Sequence, residues 1–306
     1  MLIVHRHLYV DFKKEKEFRI RPHSDLQFGN PDTDIDLVKR TIRETAEDPL
    51  CVALGAGDII DTDRPSTRIR RITAYAGREA ELTQDDMKRM AWLDKEVVPM
   101  FVSMADNPNV KRGFGLLGEI DGHHWEAYQN GTTSTEYLMN CVNNKLKRED
   151  HNQKSLYLGE MMCYVILHVH GTNANSHQGF QIIIHLQHGT GGSQFLSGDM
   201  QKLERQTSPY FVADVFLRGH STKKYAAMRP ILYPSKSEDN PQLMEKTMLL
   251  VNTGGYMKGY GPGPKANYVE SMGLAPVTLG HVVIHVKIKC DSVRNSSYYP
   301  EYTIEL

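Results

Sequence analysis

The chain has 306 residues, 40% of them hydrophobic, which is enough to bury one large core or two modest ones. Its 36 basic and 37 acidic side chains leave a formal net charge of −1. That balance argues against a protein that grips nucleic acid over a broad cationic face.

In chain order, FRIRPHSD reads as a strand running into a polar loop. DIDLVKRTIRETAED then sets Ile35, Val38 and Ile42 at helical spacing, with Asp34 as a cap and Pro49 as the stop. LCVALGAGD is a short apolar run ending in Gly and Asp, the pattern of a buried strand opening on a loop. Arg64, Arg68, Arg70 and Arg71 in DRPSTRIRR form a basic run, equally a solvated loop or a phosphate contact. Helical period returns through Met90, Leu93, Val97, Phe101 and Met104, with Pro99 expected to kink or divide it. KRGFGLLGEID is the next strand and delivers the adjacent pair His123 and His124.

The second half is richer in strands: MMCYVILHVH, GFQIIIHLQHG, YFVADVFLRGH, YAAMRPILY, TMLLVNTGG and GHVVIHVKIK, with a helix near SGDMQKLERQ. Val282, Ile284, Val286 and Ile288 alternate, so one face of the last strand is buried. The order predicts two α/β halves whose sheets pack together with helices outside. Cys51, Cys141, Cys163 and Cys290 lack CxxC spacing, and two of them sit in apolar runs, which points to a reducing compartment. MLIVHRHLYVDFKKEKEF lacks the features of a secretory leader, and no window is apolar for a membrane-spanning length, so a soluble cytoplasmic protein without membrane partners is expected.

Five strands end in residues that bind metal or move protons: HSDLQ (23 to 27), GDIID (57 to 61), GHHW (122 to 125), QHGTGG (187 to 192) and RGHST (218 to 222). Ligands of packed α/β sheets collect beyond the carboxyl ends of strands. Any one block is common; five in order, each supplying Asp or His, predict a metal-centred site.

In that order the blocks resemble the signature of the calcineurin-like metallophosphoesterases: D-x-H, G-D-x-x-D, G-N-H-D/E, H-G and G-H-x-H. The resemblance runs from about Phe18 to Leu279. It implies a four-layer α/β sandwich, two mixed β-sheets packed face to face and flanked by helices, as one domain over 1–306. It also implies two adjacent metal sites. One maps onto Asp58, His123, His188 and His220, with His123 where the family has Asn; an alternative alignment puts Glu119 there. The other keeps Asp25 but has Gln27 and Thr222 where two histidines are expected, with His23 available if its loop turns it inward. His124 matches the proton donor to the leaving oxygen and Asp61 the carboxylate that orients it, while Trp125 departs from the family's acidic residue.

Three imidazoles and a carboxylate suit a divalent transition metal, zinc or manganese ahead of the others, better than magnesium or calcium. One tightly held ion is expected, with room for a second, weaker one near Asp25 and Asp58. The activity implied is hydrolysis of phosphate esters by metal-activated hydroxide, with phosphodiesters preferred and a nucleotide or nucleic acid among the candidate substrates. The rival reading is a weakened phosphoesterase fold kept as a binding scaffold. His168 and His170, two apart, could chelate a metal but match no block and read as supporting or structural residues; His185 reads as a satisfied sheet histidine, and His281 and His285 carry no signal. The glycines of HGTGG are expected to let backbone pass close to the metal cleft.

Overall fold

The computed structural model describes residues 1–61, 83–172, 179–191, 193, 195–207, 210–234, 242–260, 268–271, 273, 275–291 and 297–306. The basic run around Arg64 to Arg71 lies outside them. Among the described residues, twelve strands form two mixed six-stranded sheets, and two mixed sheets were expected. Sheet A holds β1 (Leu2–Val10), β6 (Met162–Gly171), β7 (Gly179–Gln187), β8 (Val215–Arg218), β10 (Leu243–Thr253) and β9 (Lys224–Pro234), in that spatial order. Sheet B holds β12 (Ser297–Glu305), β11 (Val283–Asp291), β2 (Glu17–His23), β3 (Cys51–Gly55), β4 (Gly115–Glu119) and β5 (Leu156–Tyr157).

Period-2 alternation builds the layer between the sheets. Val4, Leu8 and Val10 of β1 and Val165, Leu167 and Val169 of β6 meet Phe18 and Ile20 of β2, Val52 and Leu54 of β3, and Ile284 and Val286 of β11 in one buried cluster. A second cluster covers the other face of sheet B, where Ala53 and Leu116 pack under α1 (Ile35–Glu47), α2 (Gln84–Glu96), α3 (Val98–Ala105) and α4 (Ser134–Leu146). A third, smaller cluster joins Leu203 of α5 (Leu196–Thr207) to Phe216 of β8 and Leu250 of β10 on the outer face of sheet A. The layers are therefore helix, sheet, sheet, helix. A one-turn helix, α6 (Tyr268–Ser271), lies apart from these clusters.

Local signals set the helix ends. Asp34 accepts from Leu37 N at 3.1 Å to cap α1, and Thr83 with Asp86 forms a capping box on α2. Pro99 stands in the first turn of α3, so the expected long helix divides at Val97. The N-terminal strand β1, the helix α4, the short β5 and the C-terminal β12 have no counterpart in the sequence reading.

Candidate metal centre

The strands β2, β3, β4 and β5 run parallel in sheet B, and β7, β8 and β10 run parallel in sheet A. The five blocks follow β2, β3, β4, β7 and β8 and meet at the joint between the sheets. Within each sheet the loops are pinned by backbone bonds: Asp25 N to Gly57 O, Gln27 N to Asp58 O and Asp58 N to Asp121 O, each 3.0 Å, and Gly219 N to Gln187 O at 3.2 Å. Several polar contacts stitch the sheets together at the site, two of them made by His188 and His220 with the opposite sheet. His188 Nδ1 lies 2.7 Å from the Ala56 carbonyl, and His220 N donates to Asp25 Oδ2 at 2.9 Å.

Backbone strain concentrates here. Asp25, Gln27, Asp58, His220 and Thr222 all take left-handed φ, between 45° and 69°. At about 1–2 kcal/mol each, the total is several kcal/mol. Burial of about three large apolar side chains offsets that amount, and the inter-sheet cluster holds many more. Left-handed strain of this kind persists where surrounding structure over-determines it, commonly at functional sites.

Gly57 (φ 93°) and Gly122 (φ 83°) let two of the loops touch. A Cβ on Gly57 would sit 2.7 Å from Gly122 Cα; one on Gly122 would strike Asp58 Oδ1 and lie 2.7 Å from Asp58 N. Gly122→Ala is therefore expected to lower stability by about 2 kcal/mol or more, from the conformational cost plus the clash, and to loosen metal binding at least tenfold. Thermal melting and metal titration of the variant check this; an unchanged melting temperature would rule out the close packing.

One ligand atom from each of Asp58, His123, His188 and His220 falls within 4.8 Å of every other. Asp58 and His188 are almost fully buried; His123 and His220 are half-buried. Asp58 Oδ1 accepts from His123 N at 2.6 Å and His124 N at 2.7 Å, which aims Oδ2 at the imidazoles. His188 Nε2 lies 3.0 Å from that Oδ2, yet without the alignment of a hydrogen bond, and it has no hydrogen-bond partner among the described residues. His123 and His220 bring their Nδ1 atoms to 3.2 Å, with all three rings crossing nearly at right angles.

The charges follow from this crowding. Burial alone would lower His188, but the Asp58 carboxylate outweighs it and raises the ring to about 9. Burial likewise opposes ionisation of Asp58, yet His188 and the amide donors hold it well below the usual carboxylate range. Burial, then the charge of His188 and His123, depresses His220 to about 4. A buried carboxylate and three imidazoles converging on one small volume, with a buried ring nitrogen left without a hydrogen bond, fit a divalent transition metal.

The remaining expected residues divide. His124 Nδ1 lies 2.8 Å from Asp61 Oδ1, and its Nε2 lies 4.0 Å from Asp58 Oδ2, so the donor pair borders the cluster. Asp25 is buried beside it, its Oδ2 taken by His220 N and by Ser24 Oγ, and burial raises it to about 6. Gln27 is buried with Oε1 lacking a hydrogen-bond partner among the described residues, and Thr222 packs near Gly255, where a Cβ would come within 3.0 Å of it. His23 does not turn toward the cluster. Its Nε2 lies 2.6 Å from Glu119 Oε1 on the helix side of sheet B, and its ring meets Phe101 edge-on. Glu119 is thereby occupied too.

Of the histidines outside the blocks, His185 differs from expectation. His168 and His170 support nothing in the cluster. His188 N bonds Met161 O, and His168 lies seven residues along β6 from there, about 23 Å at roughly 3.3 Å per residue. His185 is fully buried, but neither ring nitrogen has a hydrogen-bond partner among the described residues; it stacks on Phe211 at 4.3 Å, and burial lowers it to about 4. His285 pairs with Glu17 at 2.7 Å. Gly189 makes its close approach to Arg218 instead of to the cleft.

Two supporting residues escaped the sequence reading. Asn30 Nδ2 donates to Asp61 Oδ2 at 2.7 Å, fixing the carboxylate that holds His124. Buried Arg218 donates to Thr190 O at 2.7 Å and to Gly191 O at 3.3 Å, tying the loop after His188 to the strand that ends in His220. An arginine directly before Gly-His was the available signal for the second; nothing marked the first.

No family model and no curated protein matches the chain. Among solved structures it is similar to Vps29 of Chaetomium thermophilum, with 11% identity over 95% of this chain and 97% of that one, at a TM-score of 0.30. A likeness of that degree carries no weight for the function. No helix among the described residues is long and apolar enough to cross a membrane.

Proposed function

We propose that the chain is a metal-dependent phosphoesterase of the calcineurin-like type, acting on phosphodiesters in preference to monoesters. The observation that supports this best is the convergence of Asp58, His123, His188 and His220, from four loops of two sheets, on one volume beside the His124–Asp61 pair. Those four residues would hold zinc or manganese. An ion there would supply Lewis acidity toward a phosphoryl oxygen and make water a competent nucleophile near neutral pH.

The protein's own groups then act as follows. Asp58 accepts the amides of His123 and His124, so the carboxylate also sets the height of the histidine loop. His188 donates from Nδ1 to Ala56 O, which leaves Nε2 as the ligating nitrogen. Asn30 holds Asp61, and Asp61 holds Nδ1 of His124, so the Nε2 edge can deliver a proton to the leaving oxygen. Asp25 and the amide oxygen of Gln27, both buried nearby, offer oxygen donors for a second and weaker ion where the family has imidazole. A phosphodiester is favoured because the sequence carries no strongly cationic pocket signature for a dianion.

The test is metal removal. Elemental analysis of the purified chain is expected to find about one transition-metal ion, and hydrolysis of bis(p-nitrophenyl) phosphate should vanish on chelation and return with zinc or manganese. Activity that survives complete removal of metal would defeat the proposal. Full metal loading without hydrolysis of any phosphate ester would favour the binding-scaffold reading instead.

A further inference from the structure

The outer face of sheet A carries a second group of imidazoles that the metal centre does not use. β1 and β6 pair in parallel, His7 opposite His168 and Tyr9 opposite His170. Val4, Leu8 and Val10 of β1 and Val165, Leu167 and Val169 of β6 fill the inter-sheet core, so the alternate residues His5, His7, His168 and His170 all stand on the opposite face. Their rings form a ladder. His5 stacks on His168 at 5.1 Å, His168 on His7 at 4.7 Å, His7 on His170 at 5.2 Å, and Tyr9 closes the end at 5.3 Å from His170.

The ring nitrogens meet in pairs. His5 Nδ1 lies 2.8 Å from His168 Nε2, and His7 Nδ1 lies 2.9 Å from His170 Nε2. Metal–imidazole bonds of about 2.0–2.1 Å put adjacent ligands at right angles about 2.9 Å apart, whereas a tetrahedral ion needs about 3.3 Å. The observed spacing therefore suits square-planar or tetragonal ions. Aromatic or β-branched pairs would stabilise neighbouring strands as well; four imidazoles with facing nitrogens do something those cannot.

We propose that the histidine ladder is a second transition-metal site, made of two bis-imidazole clamps that take copper(II) or nickel(II), copper the more tightly. Each clamp joins one residue of the edge strand β1 to one of β6. A cation would enter after a swing about χ2, a soft torsion in histidine, and after the proton between the facing nitrogens has moved to the outer nitrogen of its own ring, since a neutral imidazole keeps one N–H. Gln181 of β7, opposite His168 in register, donates from Nε2 to His168 Nδ1 at 3.1 Å; with a cation bound, the ring proton would stand on Nδ1 and the Gln181 amide would turn to accept it, holding the ring through the nitrogen away from the clamp. The clamps stand about 23 Å along β6 from the ligands of the proposed phosphoesterase site and do not depend on it.

Copper(II) titration of the full chain, followed by equilibrium dialysis and electron paramagnetic resonance, tests the site. The wild type and Asp58→Asn should both bind copper with a nitrogen-ligated spectrum, because the ladder is separate from the metal centre. In the Asp58→Asn background, His5→Gln with His7→Gln, and independently His168→Gln with His170→Gln, should each weaken copper binding at least tenfold, while the same pairs in the wild-type background leave phosphodiester hydrolysis unchanged. Copper uptake and spectra equal to those of Asp58→Asn alone, in either combination, would overturn the proposal. If a double variant fails to fold, the single changes His5→Gln and His168→Gln decide. They remove opposite halves of one clamp and must cause the same loss; unequal losses also overturn it.

Discussion

Asp58→Asn is expected to weaken the metal centre enough that the purified protein carries little metal, and to slow phosphodiester hydrolysis about a thousandfold, a barrier increase of about 4 kcal/mol. Asparagine matches aspartate in shape, so its carbonyl can still accept from His123 N and His124 N, which now lie at 2.6 and 2.7 Å. Its amide would face His188 Nε2, 3.0 Å away. What disappears is the one negative charge among the four converging ligands. Metal content by elemental analysis and the rate on bis(p-nitrophenyl) phosphate check the result together. Retention of both at wild-type levels would contradict the assignment of Asp58 as a ligand.

The same substitution changes how metal binding depends on pH. His188 in the metal-free chain is raised from 6.5 to about 9, so the stability from its pairing with Asp58 is complete below about 6.5 and is lost as pH climbs through 9. Asp58 is depressed below 3.8, so its part is present above that value and is lost on acidification. Between those limits a metal must displace the proton of His188. Wild-type affinity should therefore tighten with rising pH up to about 9. In Asp58→Asn that rise should shift toward the ordinary histidine range, since the carboxylate that raises the ring has gone.

The parts legible in the sequence are those written in local pattern. Alternation marked β11, where Ile284 and Val286 are fully buried in step with Val282 just before the strand, and Asp34 and Pro99 marked helix ends that the structure keeps. The five strand-end blocks were readable because each places Asp or His directly after an apolar run. The helix α4 was not, since its buried face is only Ser134, Thr135, Leu138, Met139 and Val142 and its opening residues resemble a loop. Pairing across long separations was equally hidden. Nothing local to His5 says that it meets His168, a contact between residues 163 apart that depends on β1 joining sheet A beside β6. The fate of His23 turned on a partner as well, because it shares the helix side of sheet B with Glu119, and the buried carboxylate claims it. The backbone of the altered site is the subtlest case. Gln27 and Thr222 share the left-handed φ of Asp25 and His220, so both loops turn the same way at alternate residues, which no side-chain pattern announces.

His124→Gln is expected to separate proton delivery from metal binding. The main-chain amide of His124 holds Asp58 Oδ1, and a side-chain change leaves that bond in place, so metal content should match wild type. Loss of the imidazole should then act on the leaving group alone. General acid catalysis contributes about 10²–10⁴-fold when the departing oxygen needs a proton. A p-nitrophenolate departs without one, whereas a phenolate or alkoxide does not. Hydrolysis of phenyl or alkyl diesters should therefore fall a hundredfold or more, while the p-nitrophenyl substrate slows far less. Asp61→Asn should reproduce a weaker version of this split, since it removes the carboxylate that fixes Nδ1 at 2.8 Å but leaves the ring. The slope of rate against leaving-group pKa, measured for wild type and both variants, reads the effect directly. An equal loss on all substrates, or a loss of metal, would make His124 a ligand or a structural residue and remove it from proton transfer.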